Sequence, residues 1–309
     1  VKIRIGTRSS QLALWQAHYI ADLLQKAGFQ TELVLMETIG DKILNTTIAK
    51  IGSKGVFTEE LEAALRTGDI DIAVHSAKDM PSELPEDLQL LAFTERENVQ
   101  DVLVSFRKDI DIQQTNSYVL GTSSTRRVAL FKHFYPHIKT VDMRGNLQTR
   151  MRKLSEGQCD ALVLAYAGVF RMNYTENIVA HLPLSQFIPA VGQGSVTVEC
   201  SINLSKSLQQ GIRQAVNHEK TEFQLLAERS FLQTLQGGCS IPSFGLATWQ
   251  GTDLFMQGGL VSLDGKQLLK ASAVGAAQDA KAIGKKVALE ILEQGGDVLL
   301  KEIKGTLNK

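Results

Sequence analysis

Cys239 closes the run Gly237-Gly238-Cys239, far along the chain from Cys159 and Cys200. A thiolate near cations or a helix end is a nucleophile, and two adjoining glycines suit an exposed turn better than a packed interior. Upstream, Arg8, Arg126, Arg127, Arg144 and Arg150 stand in short polar segments, and Asp79 ends the run His75-Ser76-Ala77-Lys78-Asp79. Guanidinium forks hold carboxylates bidentately, which an ammonium cannot do. A lone carboxylate in such company can move a proton or stabilise a cation formed on a substrate. Together these residue types point to a covalently tethered, polyanionic group worked on by a general acid. Each also has a plain structural reading: solvated helix arginines, an Asx turn or cap at Asp79, and a small buried hydrophobe at Cys239. Lys54 and Lys78 read by default as surface lysines.

The elements that must position them follow from periodicity. Lys2 to Gly6 alternates like a strand; Ser9 or Ser10 offers an N-cap, and apolar residues from Leu12 to Leu24 recur at helical spacing up to Gly28. Thr31 to Thr38 reads as a second strand, residues 39–56 as a mobile loop with three glycines, Thr58 to Arg66 as a helix closed by Gly68, and Ile70 to Val74 as a buried strand delivering His75 to Asp79. The order βαβαβ predicts an α/β fold with an open, mostly parallel sheet, whose ligand crevice lies at the carboxyl ends of the strands.

A second unit starts near Asp101. Strands at 102–106 and 118–121 lead into Gly121-Thr122-Ser123-Ser124-Thr125-Arg126-Arg127 and a helix through Phe134; a strand from Ile138 to Asp142 leads into Arg144-Gly145-Asn146 and a helix through Leu154; Ala161 to Ala165 is another strand. Cations at a helix start oppose the helix dipole, a conflict that a bound anion resolves. Pro189 to Gly194 reads as a crossing segment, with Val196 to Glu199 returning to the first unit. A long helical stretch over about 204–236 precedes Cys239; strands at 246–250, 254–263 and 267–274 and a helix near 278–294 make a small α+β tail. The expected division is 1–95 with 195–213, then 100–190, then 217–309.

Composition narrows the function. Lys+Arg and Asp+Glu both number 33, whereas a nucleic-acid binder driven by phosphate neutralisation is usually basic; the arginines are expected to act locally. Three cysteines do not make a disulfide framework. No stretch of 18 uninterrupted apolar residues and no apolar signal region is seen, so a soluble cytoplasmic protein is expected. His133 and His137 have Pro136 between them and should not share a helical face, and no Cys-x-x-Cys occurs, so no metal is expected. Gly192-Gln193-Gly194 precedes a strand rather than a helix and is no dinucleotide fingerprint. No interface stripe stands out, which favours a monomer.

Several runs in order resemble the porphobilinogen deaminase (hydroxymethylbilane synthase) family: Ile5 to Ala17, Gly40-Asp41-Lys42, Lys54-Gly55-Val56-Phe57, Asp71 to Asp79, Gly121 to Arg127, Arg144-Gly145-Asn146, Pro189 to Gly194 and Gly237-Gly238-Cys239. The resemblance spans nearly the whole chain. It implies two αβ domains like those of periplasmic binding proteins plus a small α+β C-terminal domain carrying the cofactor cysteine. It further implies a dipyrromethane cofactor joined to Cys239 through a thioether, and head-to-tail addition of four porphobilinogen molecules with loss of four ammonias, water then releasing the linear tetrapyrrole. By the match Asp79 is catalytic, and Arg8, Ser10, Lys54, Phe57, Lys78, Ser124, Arg126, Arg127, Arg144, Asn146, Arg150 and Gln193 hold cofactor, substrate or the growing oligomer, with the 39–56 loop as a lid. Ala77, Glu59 and the run Ser240 to Gly245 differ from the residues common in the family. The rival reading, a non-enzymatic anion-binding module of periplasmic-binding-protein type, explains two lobes with arginines but leaves Gly-Gly-Cys and Asp79 without a purpose.

Overall fold

The structure, a computed structural model, describes residues 1–38, 58–114, 118–238 and 240–307. Its described residues form three sheets. In the first, β1 (Lys2–Arg8) buries Ile3 and Ile5 and pairs in parallel with β2 (Gln30–Met36) and β3 (Ile72–Ser76). The Ser10 hydroxyl accepts from the N–H of Ala13 and caps α1 (Gln11–Lys26), whose buried stripe Ala17, Ile20, Ala21 and Leu24 covers one face of the sheet. The helix α2 (Glu59–Thr67) stops at Gly68, which takes the left-handed conformation there. The expected loop over 39–56 lies outside the described residues.

The order is β2-β1-β3-β10-β4, with β4 (Leu88–Phe93) and β10 (Val196–Ser201). The second sheet repeats this plan as β7-β6-β8-β5-β9, from β5 (Asp101–Val104), β6 (Val119–Gly121), β7 (Lys139–Val141), β8 (Ala161–Ala165) and β9 (Ile178–His181). Each of these two sheets is parallel except for one strand. β10 runs against β3 and β4, and β5 against β8 and β9. Those two strands are the ones the chain enters on crossing between sheets, so each crossover ends at the other sheet's carboxyl edge. The crossovers also pair with each other: the N–H of Thr94 donates to Val196 O and the N–H of Glu97 to Gly194 O.

In the second unit, α3 (Thr125–Phe134) and α4 (Leu147–Ser155) begin at the capping side chains of Ser124 and Asn146, and α5 (Tyr166–Arg171) follows β8. The predicted long helix over 204–236 is two, α6 (Lys206–Val216) and α7 (Glu219–Thr234). Asn217 and His218 leave the helical path to hold Phe93: Asn217 Oδ1 accepts from its N–H at 3.0 Å, and His218 N–H donates to its carbonyl. The third sheet is the meander β11 (Ser243–Gln250), β12 (Asp253–Val261) and β13 (Leu268–Ala276), packed on α7 and α8 (Ala280–Ile291). After a kink at Gly295 (φ +99°) comes α9 (Asp297–Leu307), which lies beyond the helix expected near 278–294 and was not itself expected. Leu225 of α7 packs with Ala77 and Phe93 of the first unit, and Phe244 and Val261 join the core of the second.

Candidate functional site

The carboxyl edges of β1, β3, β6 and β7 carry most of the residues singled out above. β3 delivers Ser76 and then a single 3₁₀ turn, Ala77–Asp79. Ala77 is buried, Lys78 half-buried and Asp79 exposed. The turn is fixed from below: the N–H of Ala77 donates to Ser195 O at 3.0 Å, and Gln16 of α1 donates to the Ser76 hydroxyl at 2.8 Å. Gly192 (φ +78°) passes so close that a Cβ there would sit 2.8 Å from the Ala77 carbonyl carbon.

Arg126 and Arg127 stand at the expected helix start, inside the first turn of α3, but their side chains are buried, 5% and 6% exposed, rather than solvated. The reason is Asp101, fully buried at the start of β5, which the sequence reading passed over. Its carboxylate accepts from Arg126 Nη2 at 2.8 Å, Arg127 Nη2 at 2.7 Å and Gln193 Nε2 at 2.9 Å. Burial pushes the Asp101 carboxyl upward, yet Arg126 and Arg127 outweigh it and hold the group well below the usual carboxylate range. Arg126 Nη1 donates to Ile188 O and Arg127 Nη1 to Val163 O. The buried Nε–H of each guanidinium has no acceptor among the described residues.

Around this pair the charges gather. Burial lowers Lys78 to about 8, with Asp79 and Asp101 opposing and Arg127 and Arg126 reinforcing. Burial likewise lowers Arg150 to about 10; Arg127 and Arg144 push the same way, Asp79 and Asp142 the other. Four cations (Lys78, Arg126, Arg127, Arg150) thus face two carboxylates (Asp79, Asp101). Arg150 Nε donates to Gly145 O, and Arg144 pairs with Asp142. The surplus positive charge, partly desolvated, favours binding of an anion rich in carboxylates.

The other expected residues fall as follows. Ser10, Ser124 and Asn146 are all N-caps, their side-chain oxygens accepting from their own helices. Arg8 ends β1, next to β3 in the sheet. Gln193 is 1% exposed and turned toward Val99 O and Asp101, an anchoring position rather than an open one. Lys54, Phe57 and Cys239 lie outside the described residues. Arg171 of α5 is a residue the sequence reading missed: it is buried, donates to Gly194 O at 2.7 Å and lies over the Trp15 ring at 5.1 Å, tying the two αβ units together. Its only sequence signal was a cation within an otherwise apolar run.

Cys159 and Cys200 are buried, and burial pushes each thiol up to about 11, so neither is a thiolate at neutral pH. His133 and His137 each meet a backbone carbonyl, of Gly265 and Ile112 respectively, and among the described residues no cluster suits a metal ion. No helix among them is long and apolar enough to cross a membrane.

Comparison with known proteins converges on one family. Residues 3–209 match the family described as porphobilinogen deaminase, dipyromethane cofactor binding domain, and residues 223–293 match porphobilinogen deaminase, C-terminal domain. The chain is similar to the porphobilinogen deaminase of Desulfosudis oleivorans, 53% identical over 98% of either chain. It is 52% identical to that of Cytophaga hutchinsonii over 99% of this chain and 98% of the other. Among solved structures it is similar to the methionine-binding protein MetQ, 14% identical with a TM-score of 0.44, covering 69% of this chain and 89% of that one.

Proposed function

The chain belongs to the porphobilinogen deaminase family, and from that premise we propose how its own residues divide the work. The enzyme is a transferase that joins four porphobilinogen molecules head to tail into a linear tetrapyrrole with release of ammonia, on a dipyrromethane cofactor. At each addition the aminomethyl C–N bond of porphobilinogen breaks and ammonia leaves. A C–C bond forms to the free α-carbon of the terminal pyrrole, which loses its proton. The dipyrromethane supplies the first such pyrrole carbon.

The residues present fit that group. Each pyrrole ring brings two carboxylates and one N–H. Against them stand a surplus of cations, two buried Nε–H donors without acceptors, and one exposed carboxylate. Arg126, Arg127, Arg150 and Lys78 take carboxylates, with Arg8, Ser10, Ser124, Arg144 and Asn146 along the same strand edges. Asp79 stabilises the cation left on porphobilinogen as ammonia departs and accepts from pyrrole N–H groups. Lys54 and Phe57 complete the binding surface by their match to the family. Cys239, inside the stretch matched by the C-terminal family domain, carries the cofactor through a thioether; the raised thiols of Cys159 and Cys200 support this choice. The functional units are 1–95 with 195–213, 100–190 and 217–309, and the enzyme acts as a monomer without nucleic acid.

The observation that carries this reading is Asp79, exposed on a rigidly held turn within the field of Lys78 and Arg150. A passive anion-binding module gains nothing from a carboxylate there. Asp79→Asn should lower turnover by about 10²-fold or more, with an unchanged circular dichroism spectrum and a loaded cofactor. Turnover within tenfold of wild type refutes the role.

A further inference from the structure

We propose that Asp101 is the positioning residue of the site, dictating which edge of Arg126 and Arg127 meets the ligand. This deepens the reading of those arginines as carboxylate contacts and rests on it. Asp101 sits where the first crossover enters the second sheet, opposite Ala165 in the ladder and fully buried. One oxygen serves Arg126 Nη2, the other serves Arg127 Nη2 and Gln193 Nε2. With the carbonyls of Ile188 and Val163 on the two Nη1 atoms, both terminal nitrogens of each guanidinium hold a protein acceptor. Each terminal nitrogen keeps a second N–H, and the Nε–H is buried and without an acceptor on each. Two cations that would repel each other are thereby held side by side by one shared anion, each fixed in orientation with N–H donors left over.

Asp101 is itself held from the third unit. Gln193, which donates to it, offers its own backbone carbonyl to Arg96 Nε at 2.8 Å. Arg96 pairs through both terminal nitrogens with Glu228 of α7, which is fully buried and also accepts from the N–H groups of Gly192 and Ala247. A continuous buried chain, Glu228 to Arg96 to Gln193 to Asp101, thus runs from the helix leading toward Cys239 to the arginine pair. It passes through both crossovers. The placement of the carboxylate-binding arginines is set by the same contacts that seat the third unit.

Asp101 touches no ligand, so its loss should weaken binding of ground state and transition state alike, which raises KM and leaves kcat in place. In Asp101→Asn the side-chain amide turns a donor toward one guanidinium and frees it. The purified, cofactor-loaded variant should show KM for porphobilinogen raised at least tenfold with kcat within threefold of wild type. Equal KM, or a fall in kcat with KM unchanged, overturns the proposal. Should Asp101→Asn not fold, Gln193→Leu removes one of the three bonds that orient Asp101; at least a threefold rise in KM with kcat preserved is expected, and an unchanged KM overturns it. Arg127→Lys, measured beside them, separates the two layers. If it raises KM while the anchoring variants do not, positioning fails and ligand contact stands. If it too leaves KM unchanged, ligand contact fails.

Discussion

Replacing Gly192 with alanine should damage both stability and catalysis, through a contact with backbone rather than with a yielding side chain. Gly192 lies on the second crossover at φ +78°, and an added Cβ would stand 2.8 Å from the Ala77 carbonyl carbon, 2.9 Å from the Lys78 nitrogen and 3.0 Å from the Ala77 oxygen. The left-handed conformation costs an L-residue about 1–2 kcal/mol. Forcing extra volume into a filled site adds about 1–3 kcal/mol. At about 2–4 °C per kcal/mol, the total of about 2–5 kcal/mol corresponds to a Tm lowered by roughly 4–20 °C. The contact can be relieved only by moving the crossover or the Ala77–Asp79 turn, and a displacement of about 1 Å at reacting groups costs about 10²-fold in rate. Thermal unfolding and turnover at saturating porphobilinogen, measured on the same preparation, test this. A variant within twofold of wild-type turnover and about 2 °C of its Tm would show that the Ala77–Asp79 turn is not held by close contact with Gly192.

Gly284→Ala should loosen the third unit without touching the site: its Cβ would fall against the Ala227 carbonyl oxygen where α8 crosses α7, so a loss of about 3 kcal/mol or more is expected from overpacking backbone on backbone, read by chemical denaturation, and an unchanged midpoint contradicts it. Lys78 predicts a pH signature. Its folded-state pKa is lowered to about 8 by burial, while the unfolded chain keeps the proton to about 10.4. The unfolded state therefore binds more protons between these values, and wild type should gain stability relative to Lys78→Met as pH rises from about 8 to about 10. A flat or falling difference in paired denaturation curves refutes it.

The local elements were legible because each has a local cause. Ser10 and Gly28 bracket α1, Gly68 ends α2, and Ser124 and Asn146 start α3 and α4. What stayed hidden depends on partners remote in sequence. The reversed direction of β5 and β10 follows from the crossovers, which no periodicity records. The break at Asn217 and His218 exists because Phe93 requires backbone partners there, and continuous helical spacing across it misled the reading.

The site divides the same way. Asp79 and the arginines were visible by type and spacing; their anchors were not. Asp101 opens an apolar strand and Glu228 lies mid-helix, positions where a carboxylate reads as a surface group until the structure buries it. Arg126 and Arg127 were found for their charge, but four of their ten N–H donors turned out to be structural.

The most direct test is intact-protein mass spectrometry of the purified chain followed by peptide mapping. Covalent attachment at Cys239 predicts excess mass equal to two porphobilinogen units less two ammonias, confined to the peptide holding Cys239 and absent from Cys239→Ser, with an apo preparation gaining the same adduct on incubation with porphobilinogen. A chain that stays at its bare polypeptide mass through that incubation, or an adduct that maps to another residue, would contradict it.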